Sequence, residues 1–170
     1  MKILPAFIMI TALLFAPVSA ADTSNWIAIA APSGIAFTIP PYWAWDVVDS
    51  HSVAIRNEQS DAVLLISHAP LDGNEDEVCS DPVKEKVRER LSDLQVRGVE
   101  TLVCDPPVIS ASGKTRAGMI INLTEKQVNN HSYEWVGEYA DDEAFLKYAE
   151  TIRMIMGGTE FPGVSSDIAV

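Results

Sequence analysis

The chain has 170 residues, a formal net charge of −12 and a charged fraction of 21%. That length holds one domain with a core of its own. The charge argues against nucleic acid and anionic lipid surfaces as partners, because both require a cationic face. A cationic protein partner fits the charge, as does acidity that serves solubility alone.

Met1 and Lys2 precede an uncharged apolar run from Ile3 to Pro17, and Val18-Ser19-Ala20 supplies the small residues a signal peptidase requires. The run falls short of the ~20 apolar residues of a bilayer span. Residues 1–20 are therefore expected to be a signal peptide, 21–158 a single domain and 159–170 a flexible tail. The expected destination is the periplasm or the outside of the cell, with no stable membrane insertion after cleavage.

Pro32-Ser33-Gly34 forms a turn into a strand in which Ile35, Phe37 and Ile39 alternate with Ala36 and Thr38. "PPYWAW" (40–45) follows at the strand's exit. Its Tyr42, Trp43 and Trp45 are the candidate partner-binding residues, since Trp and Tyr dominate binding hot spots when they stand exposed. The same cluster could instead fold back as a plug over the open end of the core, and the plug is preferred. Residues 52–56 and 62–68 are two more strands joined by the polar turn 57–61. The second contains Val63-Leu64-Leu65-Ile66, apolar on both faces, and is expected to be covered on both.

The acidic loop 72–77 leads to a helix with Asp81 as N-cap and Pro82 at its first position. Val83, Val87, Leu91 and Leu94 make one apolar stripe, and Gly98 is expected as the terminating residue. Val99 to Cys104 is a strand, broken by Asp105-Pro106-Pro107. A short strand at 108–111 and a long one at 114–126 come next, then a turn at 128–130. In the strand from His131 to Tyr139, Tyr133, Trp135 and Tyr139 should face the core and Glu134 and Glu138 the other side. Asp141 caps a last helix whose Phe145, Ala149, Ile152 and Met156 are the buried stripe, closed by Gly157-Gly158. The fold class is α+β: one antiparallel sheet flanked by two main helices.

Two stretches carry a likeness. "GIAFTIPPYW" (34–43), a strand ending in Ile-Pro with Trp soon after, and "DDEAFLKYAETI" (141–152), a terminal helix, resemble the PsbP-like and DcrB-like proteins. The resemblance implies an α-β-α sandwich and an accessory, chaperone or binding role. It carries over no functional residue.

Cys79 and Cys104 are the only cysteines. In an exported chain an even number favours a structural disulfide. A redox pair would show CxxC spacing, and structural zinc would need four ligands, whereas His51, His68 and His131 are scattered.

The search for chemistry is mostly negative. "SGKT" (112–115) lacks the first glycine of a phosphate loop, where Val108 stands, and reads as a turn. "DGNEDEV" (72–78) has Glu77 and Val83 where an EF-hand needs glycine and glutamate, which leaves a weak calcium site or, by preference, a solvated acidic loop. His68, ending an apolar strand, reads as a hydrogen-bonded core histidine. Asn122 and Asn130 begin formal glycosylation sequons. No cofactor, metal or catalytic residue is assigned. The function expected is a non-catalytic exported binding or accessory protein. Alternatives are an immunity-type inhibitor of a secreted toxin or hydrolase, or a small hydrolase using His131 or His68 with a carboxylate.

Overall fold

The computed structural model describes residues 23–71, 79–128 and 130–162. The expected signal peptide, the acidic loop 72–77 and residues 163–170 of the expected tail lie outside the described residues. Eleven elements follow in order. They are β1 (Ile27–Ala30), β2 (Ala36–Ile39), β3 (Ala44–Asp49), β4 (Ser52–Arg56), β5 (Ala62–Pro70), α1 (Asp81–Asp93), β6 (Val96–Asp105), β7 (Val108–Thr115), β8 (Ile120–Val128), β9 (His131–Tyr139) and α2 (Asp142–Gly157). Seven strands form one antiparallel sheet in the order β3-β4-β5-β9-β8-β7-β6, and β1 and β2 form a separate hairpin. No helix among the described residues is long and apolar enough to cross a membrane.

Alternation along β9 divides the interior. Trp135 faces a core made with Phe37, Ile55, Leu64, Ile66, Ile152 and Ile155, where α2 and the β1–β2 hairpin cover the sheet. Val136, the next residue, faces a second core with Val87 and Leu91 of α1, Ile109, Ile121 and Leu123. Each fully buried aliphatic side chain in these layers is worth ~1.5–3 kcal/mol relative to exposure. Tyr139 is buried, and this pushes its phenol up to about 12, against the opposing pull of a hydrogen bond with Asn122. The expected inward face of Tyr133, Trp135 and Tyr139 is therefore the observed one. It is covered, and it offers no binding surface.

Local chemistry explains the helix ends. The Asp141 carboxylate accepts the Ala144 N–H at 2.8 Å, closing one orphan donor of α2. At α1 the N-cap is Ser80, and Asp81 is already helical, with Pro82 in the first turn. The helix stops at Asp93, earlier than Gly98, because Gln95 takes a left-handed φ of 63° and turns the chain into β6. Gly98 lies inside that strand. "SGKT" is not a turn either: it ends β7, and the reversal comes at Gly118, with φ of 90°. The expected long strand 114–126 is thus two strands.

Cys79 and Cys104 are bonded, with Cα atoms 5.7 Å apart. The bridge ties the approach to α1 to the edge strand β6. Arg90 donates from Nε and Nη2 to Glu134 at 3.3 and 3.1 Å, fixing α1 across β9 from the other end.

The chain after α2 is docked as far as it is described. Glu160 and Ala36 exchange backbone hydrogen bonds at 2.7 and 2.8 Å, and Phe161 is buried against Tyr133 and Trp135. Residues 159–162, expected to fray, therefore belong to the domain.

Candidate functional site

β3 was not legible as a strand, and it changes the meaning of "PPYWAW". The Trp43 N–H donates to the Pro40 carbonyl at 3.0 Å, closing a turn that delivers the chain into β3. Trp43 then stands edge-on to Tyr148 of α2 and Trp45 edge-on to Phe37 of β2, each pair 5.9 Å between ring centroids. The two indoles are the plug. Tyr42 is not part of it: the residue is 79% exposed at the tip of the turn. The expected cluster is thus split between packing and surface.

β3 is also an edge of the sheet, with β4 on one side and no strand on the other among the described residues. Five of its six residues are exposed, including Val47 and Val48. Asp46 is held by Arg56 of β4 in an ion pair. An open strand edge with outward backbone donors and acceptors is a template for an added strand. Here Tyr42 stands in the turn just before β3 and Val48 near the strand's far end.

Past Val48 the edge meets a cleft of about 380 Å³. Ser52 pairs with Ser67, and β5 continues three residues beyond the start of β4, which leaves a step in the sheet. The cleft occupies this step and is lined by Val48, His51, Ser52, Ser67, His68 and Arg90, among others. His51 and His68 lie 5.4 Å apart between ring centroids, and His68 stands 6.1 Å from Phe161. His131 stacks on Tyr133, which also touches Phe161. The three histidines, scattered in sequence, gather at one end of the sheet because Pro70 pairs with His131 and His68 with Tyr133.

Most charged groups here are already occupied. The Asp49 carboxylate accepts the His51 backbone N–H at 2.7 Å, and this bond holds its pKa below the usual carboxylate value. His51 Nδ1 is bonded to Ser50 Oγ at 2.8 Å. Arg90 is raised above its ordinary value by its bond to Glu134. Burial lowers His68, opposed by a bond with the Ser33 backbone and reinforced by the neighbouring His51 and His131. His68 is thus hydrogen-bonded, as expected, but half-buried rather than in the core, and its Nε2 has no hydrogen-bond partner among the described residues. No three His, Cys, Asp or Glu among the described residues converge to hold a metal ion. The arrangement offers hydroxyls, imidazole and aliphatic wall beside an open strand.

No protein-family model matches the chain, and no curated protein matches it in sequence. Among solved structures it is similar to the Ran-binding protein Mog1p of Saccharomyces cerevisiae, with 9% identity, a TM-score of 0.55, and coverage of 80% of this chain and 95% of that one. It is also similar to cyanobacterial PsbP from Synechocystis, with 9% identity, a TM-score of 0.53, and coverage of 86% and 98%. At this identity the likeness defines the fold: an α+β, PsbP-like sandwich, as the sequence resemblance implied. The DcrB-like half of that resemblance gains no support from the comparisons.

Proposed function

We propose that this protein is an exported, non-catalytic binding protein that engages a cationic partner protein along the β3 edge, with Tyr42 as its aromatic anchor. The observation that carries this reading is the exposure of Tyr42 beside the outer edge of β3, open among the described residues, with Val47 and Val48 in solvent. Backbone hydrogen bonds along the edge give affinity, and side chains at its two ends give selectivity. The net charge of −12 favours encounter with a cationic surface. Mog1p, which shares the fold, binds Ran, so the scaffold is compatible with protein recognition. Export rests on the leader-like residues 1–20. An immunity-type inhibitor of a secreted toxin is the narrower form of the same reading.

A photo-crosslinking residue placed at Tyr42, at Val48 and, as a control, at Leu146 tests the surface. Leu146 is 82% exposed on α2, outside β3. In the native cells, 42 and 48 should give one common adduct that Leu146 does not, and raised salt should weaken it. Equal adducts from all three positions, or none from 42 and 48, would overturn the assignment. N-terminal sequencing of the protein from those cells tests export separately.

A further inference from the structure

The chain's six arginines divide into two groups. Arg56, Arg88, Arg90 and Arg153 are each paired with a carboxylate: Asp46, Glu85, Glu134 and Glu150. Arg97 and Arg116 make no ion pair with any described residue, and both line one cavity of about 450 Å³ with Ser92, Gln95 and Val96. We infer that this cavity is a binding site for a small oxyanion bearing two or more negative charges, either a phosphate group or a polycarboxylate.

The site is held by the way β6 begins. Val96 pairs with Thr115, which brings Arg97, the next residue of β6, and Arg116, the first residue after β7, to the same end of the β6–β7 pair. The register shifts between Val96 and Val99, and Gly113 lets the backbone of β6 press close there: a Cβ at Gly113 would lie 2.5 Å from the Gly98 carbonyl oxygen. The start of β6 is therefore fixed against β7. The end of α1, whose carbonyls repel anions, is partly closed. The Leu94 N–H donates to the Arg90 carbonyl at 3.1 Å, and the Gln95 N–H to the Ser92 carbonyl at 2.9 Å.

The donor set fits an oxyanion. Each guanidinium presents a planar fork of N–H donors that matches two oxygens, and Ser92 and Gln95 add neutral donors. Asp93 and Glu100 are the carboxylates nearest in sequence, and neither pairs with these arginines. A large acidic partner would meet the repulsion of the whole molecule. A small ion senses mainly charges within the ~8 Å screening length at physiological salt.

The test is a titration of the full chain with inorganic phosphate, and separately with citrate, at constant ionic strength, followed by amide chemical shifts. At least one ion should give saturable shifts confined to Ser92, Gln95, Val96, Arg97 and Arg116. Arg97→Ala and Arg116→Ala should each weaken it about tenfold or more. Lys147→Ala, which removes the same charge from α2 across the sheet, should leave affinity within about twofold. Whichever ion saturates names the ligand class. Non-saturating shifts with both ions, shifts centred elsewhere, or equal weakening by Lys147→Ala would overturn the inference.

Discussion

Phe161→Ala probes the best-packed part of the chain after α2. The ring lies 4.3 Å from Tyr133, 5.4 Å from Trp135 and 6.1 Å from His68, centroid to centroid, and is only 9% exposed. Removing a buried phenylalanine costs ~3–5 kcal/mol in transfer and cavity terms. Because the ring packs beside His68, which lines the open cleft, water can enter the vacated space, and the lower end, about 3 kcal/mol, is expected. Urea unfolding at pH 7.5 measures it through the shift in midpoint at constant slope. The same variant should let the His68 pKa rise toward 6.5, read by NMR titration, because the ring helps to shield the imidazole. A loss below about 1 kcal/mol with His68 unmoved would show that Phe161 is not seated as described.

Other outcomes follow from the same contacts. The oxidised protein should take up two alkyl groups only after reduction, and reduction should cost about 3.5 kcal/mol for a bridge closing residues 25 apart; alkylation without reductant would refute the bridge. Gly113→Ala should destabilise by about 1–3 kcal/mol, because its Cβ meets the β6 backbone at Gly98. Gly157→Ala, at the end of α2 with open space around the new methyl, should be neutral or slightly stabilising; equal losses at the two glycines would refute the close approach. Burial depresses His68 below its unfolded value of 6.5, so the unfolded chain binds the extra proton first. Stability should fall as pH drops below about 6.5 and level off below the folded pKa, and His68→Gln should flatten that window. An unchanged profile in that variant would refute it.

The sheet and helices were legible where periodicity was strong. His131 to Tyr139 alternates cleanly because β9 lies at the centre of the sheet and must satisfy two cores, and its bounds match the expected ones. Asp141 was legible as a cap because its carboxylate performs that local task. β3 was not, because an edge strand with five exposed residues carries no hydrophobic alternation and follows two prolines. Gln95 ends α1 by backbone strain in a residue type that gives little warning, so Gly98 looked the better stop. Phe161 lacked any periodic neighbour, and its burial is set by contacts with a distant strand. The histidine-lined cleft and the two arginines arise from strand register, which no spacing along the chain encodes. Leu65 and Val63, expected to be fully covered, are half-buried because α1 lies over β6 and β7 rather than β5.

The two borders of the sheet are unlike. The β6 border has two breaks in register and is fastened by sulfur to the chain in front of α1, so it presents a twisted, interrupted face to any incoming strand. The β3 border has one irregularity, between Val47 and Asp49, at its far end. If the proposed partner strand adds at β3 alone, growth stops there: the sheet takes a single strand from one companion, or pairs once with its own copy, and does not propagate into a fibre.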